Sequence, residues 1–243
     1  MRQLDFRIKG KTKDYMSRKT LCVNILLSMF SLLSCDTIAP KDFNTFATKF
    51  VADYRQLFPD ESPLSMDNDL LSHLPIPTPT YLDSVRDFHR VYAAELAQFD
   101  RSILPPVTLK NVQKVENILK TIGAFATDYL QNPQRFNVLF GFRRILNADY
   151  ASDGYRLQTL EAKLAQVPIF YETAKQRLQN PNRAAADAAV EQHIATYLFF
   201  NATLPQFFKK NGQVMTPQYQ AKIEAAKLAI KDYVAFVESF RLN

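Results

Sequence analysis

Residues 82–99 read LDSVRDFHRVYAAELAQF, and the apolar positions Leu82, Val85, Phe88, Tyr92, Leu96 and Phe99 follow one another by steps of three or four. That spacing returns to one face of a 3.6-residue helix at each turn, whereas a strand alternates its faces with period two. The same period recurs on both sides. Upstream, Phe43, Phe46, Phe50, Tyr54 and Leu57 form a stripe that stops before Pro59. Downstream, Leu109, Val112, Val115, Leu119, Ile122, Phe125 and Tyr129 line a longer helix, which Thr108 is expected to cap and Asn132-Pro133 to end. Leu157, Leu160, Leu164 and Val167 begin another, which Pro168 kinks or breaks and which Phe170, Ala174 and Leu178 continue to Asn180-Pro181. Arg183 to Phe200 is alanine-rich, which suits close helix packing, and Pro217 opens a last helix with Ile223, Ala226, Ile230 and Val237 inward. Between 134 and 149, Val138, Phe142 and Ile145-Leu146 favour a helix while Gly141 opposes it. Residues 58–80 hold Pro59, Pro63, Pro75, Pro77 and Pro79 without a sustained period, and read as a long crossover with a helical turn at Met66 to Leu71. The expected fold is all-α: about seven helices in antiparallel pairs, an irregular helical bundle.

Composition agrees with that expectation. The 243 residues include 5 Gly, no two of them in a G-x-G, and a 47% hydrophobic share large enough for a core. Gly-rich phosphate loops and turn-dense β-sandwiches are therefore poor candidates. The net charge of +6 and pI near 9.2 invite a nucleic-acid reading, which depends on where the charge lies.

It lies at the start. Arg2, Arg7, Lys9, Lys11, Lys13, Arg18 and Lys19 stand against Asp5 and Asp14, and Leu21 to Ser34 (LCVNILLSMFSLLS) has no charge. A basic flank followed by an apolar stretch well short of the ~20 residues of a spanning helix has the form of a secretory signal. Leu32-Leu33-Ser34-Cys35 then resembles a bacterial lipobox, in which a small residue precedes a Cys that receives a diacylglycerol thioether before cleavage. The expected organisation is a signal peptide over 1–34 cleaved between Ser34 and Cys35, a lipidated Cys35 with a tether to 41, and a helical domain over 42–243. Met16 offers an alternative start that leaves a signal of ordinary length. Beyond Ser34 the chain carries 23 Lys+Arg against 22 Asp+Glu, so no nucleic-acid partner is expected. Cys22 leaves with the leader and Cys35 is the anchor, so no disulfide framework is expected either.

Chemistry-bearing constellations are sparse. His73, His89 and His193 are far apart, and none has a second His at the spacing of a zinc-binding His-Glu-x-x-His. No G-x-S-x-G or P-loop occurs. Asp67 with Asp69, and Asp149 with Asp153, read as loop or cap residues rather than cation ligands, because the calcium-loop Gly and terminal Glu are missing. Arg143-Arg144 beside Phe140 and Phe142 reads as a solvated helix face. No catalytic residue, metal site or cofactor is expected from these patterns.

Several stretches nonetheless resemble a known family. They are Pro133-Gln-Arg-Phe136-Asn137-Val138, Arg156-Leu157, Lys163-Leu164-Ala165-Gln166-Val167-Pro168, Ala174 to Pro181, and FHRVYAAELAQFDRSIL at 88–104. Together they are similar to the bacterial domain of unknown function 885 family, helical and often lipid-anchored proteins regarded as candidate zinc peptidases. Lys163 stands where that family usually has Arg. The resemblance runs over about residues 42 to 240. Family members are usually more than twice as long and carry His-Glu-x-x-His in the C-terminal half, which has no counterpart here. The resemblance thus implies the N-terminal, non-catalytic helical part of such a protein, walling a substrate cleft. The partners it implies are the membrane, through the lipid anchor, and either a peptide ligand or the missing C-terminal catalytic half. The expected location is the bacterial cell envelope, outside the cytoplasm.

Overall fold

Every described segment of regular structure is helical, and most of the helices start at a capping side chain or a proline. The structure, a computed structural model, describes residues 42–61, 68–148 and 151–241. Among them α1 spans Phe43–Leu57, α2 Asn68–Leu71, α3 Pro79–Leu96, α4 Pro106–Asp128 and α5 Leu139–Leu146. They are followed by α6 (Asp153–Leu164), α7 (Val167–Arg177), α8 (Arg183–Leu198), α9 (Leu204–Lys210) and α10 (Pro217–Ser239). Seven of these have 11 to 23 residues, and the other three are short. Asp42, Thr78, Ser152, Asn182 and Thr216 accept from the first backbone N–H groups of α1, α3, α6, α8 and α10, satisfying donors that the helix itself leaves open.

Thr108 does not cap α4. The helix begins two residues earlier, at Pro106, whose fixed φ suits a first turn and whose missing N–H needs no acceptor. Of the kink or break expected at Pro168, the structure has the break: the stretch is divided into α6 and α7 at Ala165-Gln166, just before that proline. Past α8 the backbone widens into a π turn over Phe199–Thr203 before α9. Pro205 lies within the following turn and cannot donate to the preceding one, which accounts for the local change of register.

The apolar stripes meet in two cores. One gathers α1, α3 and α4 around Phe46, Phe50, Phe88 and Tyr92, with neighbouring ring centroids 4.5 to 6.2 Å apart. Phe43 packs on Phe99 and Phe58 on Phe88, so α1 and α3 run antiparallel. The other gathers α5 to α10. Here α10 is central: it runs antiparallel to α8, with Arg241 beside Asp187 and Tyr233 beside His193. It lies alongside α6 and α7 in the same direction, with Tyr219 near Leu157, Lys222 near Glu161 and Tyr233 near Tyr171. Ala186 and Ala189 are fully buried, as the alanine-rich stretch anticipated, and so is Ala226 on the inward stripe of α10. Tyr81 and Phe125 pack against both cores, and residues 41–243 form one compact unit.

Candidate functional site

The crossover after α1 is held by a charged side chain on an apolar face. Lys163 lies three residues after Leu160 and four before Val167, within the buried stripe of α6, and it is fully buried. Its ammonium donates to Asp60 Oδ1 (2.5 Å), to the His73 carbonyl (3.0 Å) and to the Leu71 carbonyl (3.2 Å), so all three N–H groups are used. Burial pushes its pKa below the ordinary lysine value, against the opposing charge and hydrogen bond of Asp60. Gln166 continues the attachment, accepting from the Leu74 N–H (3.1 Å) and donating to the Ser72 carbonyl (2.7 Å). From α5, Arg144 donates to the carbonyls of Pro59 (3.2 Å) and Asp60 (2.6 Å). Gly141 makes room for this: a Cβ there would overlap the Asp60 carboxylate.

Where this crossover meets α4 and α5, the two cores leave a cleft. One chamber, of about 350 Å³, is walled by Phe58, Leu74, Tyr81, Tyr129, Phe140 and Phe170. A second, of about 240 Å³, lies against Tyr54, Asn117 and Ile118. Phe58, Glu61, Phe125 and Arg135 line both and form the shared wall. Its rings are fixed by contact, Phe58 edge-on to Phe125 at 6.0 Å and Phe125 against Tyr129 at 4.6 Å. Arg135 sits in a 3-10 turn capped by Asn132. Its Nε and Nη2 grip the Asp128 carboxylate at 3.1 and 3.0 Å, and its guanidinium carbon lies 5.4 Å from the Phe125 centroid. Across the wall, Glu61 accepts from the Tyr54 hydroxyl at 3.0 Å. Burial, helped by the Glu61 charge, pushes the Tyr54 phenol above its usual range, and burial does the same to Tyr81. The site is thus an aromatic two-chambered cleft lined by one held cation, Arg135, and two held carboxylates, Asp60 and Glu61, able to take apolar groups on either side of a polar one.

The residues singled out in the sequence fall elsewhere or serve packing. Cys35 and Ser34, with the leader and tether, lie outside the described residues, as do Asp67 and Asp149. His73 offers its carbonyl to Lys163, and His89 packs over Gly123, where a Cβ would stand 2.9 Å from its Nε2. His193 is buried, with Nδ1 2.7 Å from the Ala189 carbonyl and Nε2 2.8 Å from that of Phe136. Asp153 pairs with Arg156 in the first turn of α6. Arg144 is not on a solvated face, because it reaches back to the crossover. Among the described residues no three His, Cys, Asp or Glu side chains converge. Asp60 and Arg135 were not expected at a site, and Lys163 drew notice only as standing where the resembled family usually has Arg; the available signal was a lone Lys on the apolar stripe of α6. The segment from Pro133 to Val138 is tied to α10 and α8 of the second core: the Pro133 carbonyl accepts from Tyr233 (3.2 Å), and Asn137 donates to Thr196 Oγ1 (2.9 Å).

The fold and cleft define a class, an all-α protein of two packed helical cores. No protein-family model matches the sequence, and no curated protein matches it. The fold does recur in a solved structure, that of a candidate lipoprotein of unknown function from Shewanella oneidensis. It superposes on 82% of this chain with a TM-score of 0.70 at 21% identity, a likeness that establishes the fold. The match takes in 37% of that protein, so this chain spans little more than a third of its length.

Proposed function

We propose that this chain is a lipoprotein of the bacterial cell envelope, exported on residues 1–34, cleaved between Ser34 and Cys35, and held at the membrane by acyl chains on Cys35. The observation that carries this reading is the order of basic flank, uncharged Leu21 to Ser34, and Leu32-Leu33-Ser34-Cys35. The recurrence of the fold in a candidate lipoprotein supports it. The helical body serves as a non-catalytic scaffold, equivalent to the N-terminal cleft wall of the candidate metallopeptidases of the domain of unknown function 885 family. A second reading, a stand-alone lipoprotein that captures a peptide or glycan, is favoured by the two-chambered aromatic cleft. In a bacterial host the chain should incorporate labelled palmitate, and Cys35→Ala should not. Palmitate retained by Cys35→Ala would refute the anchor. Purified chain should hold no stoichiometric zinc, and tight zinc with chelator-sensitive peptidase activity would overturn the non-catalytic assignment.

A further inference from the structure

We propose that the loop at Leu104-Pro105, with Ile103 ending the 3-10 turn before it and Pro106-Val107 opening α4, rests in the surface of the same membrane that holds Cys35, an inference that builds on the lipid anchor above. Five consecutive residues here carry no charge, and Ile103 is 72% and Val107 71% exposed. Pro105 and Pro106 are exposed as well, and only Leu104 turns partly inward.

The place of the loop matters more than its composition. The chain enters the body at Asp42-Phe43, and the Phe43 ring stands 5.6 Å from Phe99, two residues before the 3-10 turn Arg101–Ile103 that leads into the loop. Asp42 is seven residues beyond Cys35, and seven residues reach at most about 25 Å in any conformation. The loop therefore stands at the end of the body where the tether enters, the end whose distance from Cys35 the tether limits. α1 climbs away from that end for 15 residues, about 22 Å, before reaching Phe58 at the cleft.

Local chemistry fits a lipid surface. Two of the five residues are prolines and have no N–H to strip of water, and the Pro105 carbonyl already accepts from Leu109 N–H at 3.0 Å. Asp100 binds both the N–H (2.9 Å) and the hydroxyl (2.6 Å) of Ser102, which fixes the neck of the loop. Asp42 is likewise occupied, accepting from Asn44 and Thr45 at the start of α1. Arg101, paired with Glu116, and exposed Lys110 flank the loop with side chains long enough to reach headgroup phosphates. Because multiple acyl chains already give lasting attachment, the loop sets orientation rather than affinity. Tether and loop together make two points of contact and hold the cleft away from the bilayer.

The chain has no Trp, so an introduced indole reports without background. Ile103→Trp and Val107→Trp would be placed in the full chain, with Val214→Trp, at an 86% exposed turn after α9, as the reference. Each would be reconstituted into phosphatidylethanolamine and phosphatidylglycerol vesicles with brominated acyl chains, and the N-terminal fragment weighed by mass spectrometry. The expected result is acyl mass on Cys35 together with blue-shifted emission and several-fold quenching at 103 and 107 but not at 214. Acylated chain with emission at 103 and 107 like that at 214 would overturn the loop contact and leave the anchor standing. Quenching at 103 and 107 without acyl mass would support the loop and overturn the anchor. Failure of both readouts would overturn both.

Discussion

Lys163→Met removes one ammonium from the protein interior while keeping a side chain of similar length. The amine is fully buried and feeds three acceptors, Asp60 and the carbonyls of Leu71 and His73. Breaking a buried ion pair from one side costs about 3–5 kcal/mol, because the remaining charge keeps its desolvation without its partner. The Asp60 side chain is 18% exposed, and water reaching it places the loss at the low end, about 3 kcal/mol. Two carbonyls left without a donor add about 1 kcal/mol each. The apolar Met returns about 2 kcal/mol through burial. The net is about 3 kcal/mol, which at a urea slope of about 3 kcal/mol/M lowers the unfolding midpoint by about 1 M. Urea titration followed by circular dichroism at neutral pH measures it. Lys163→Arg, which keeps the charge, should lose less. In an Asp60→Asn background the Lys163→Met loss should shrink, since the unpaired carboxylate is gone. An unchanged midpoint in Lys163→Met, or a loss in the double variant equal to the sum of the singles, would refute the claim that this pair holds the crossover.

Gly141→Ala puts a Cβ into the Asp60 carboxylate and should cost about 1–3 kcal/mol by overpacking, less in an Asp60→Ala background, as urea midpoints of the four chains will show. His193 lies among Tyr171 and Tyr233, and burial holds its pKa below the usual 6.5 despite the two carbonyls nearby. The unfolded chain therefore takes up a proton first as pH falls through 6.5, and stability drops from there down to the folded pKa, by at most about 1.4 kcal/mol per pH unit. His193→Gln should flatten that part of the stability–pH curve, and an unchanged slope would show that the loss arises elsewhere. Arg135→Gln leaves Asp128 without its cation and should weaken binding of an apolar peptide bearing a Trp at least several-fold, read by indole emission; equal affinity would remove Arg135 from the site.

The apolar stripes made the helices legible because burial is periodic, and prolines and capping residues marked most of their ends. Thr108 misled because a hydroxyl near a helix start resembles a cap, whereas Pro105-Pro106 already supplies a start that needs none. Gly141 weighed against α5 on propensity alone, yet tertiary contact requires it, since the Asp60 carboxylate occupies the space of a side chain. The cleft was harder to foresee. Its wall joins Phe58 and Glu61 from the crossover to Phe125 and Arg135 from the region of α4, and no local pattern reports a pairing across that distance. The same holds for Lys163 and Asp60, 103 residues apart, although a lone lysine in an apolar stripe signals that some partner exists. Arg144 looked like a solvated residue because sequence cannot show the two carbonyls it reaches.

The central claim is that this helical body hangs from a membrane by Cys35. Mass spectrometry of the N-terminal peptide of the chain isolated from bacterial membranes tests it most directly. The account predicts a peptide beginning at Cys35 and carrying a diacylglyceryl thioether. A peptide beginning at Met1 or Met16, with Cys35 internal and unmodified, would contradict it.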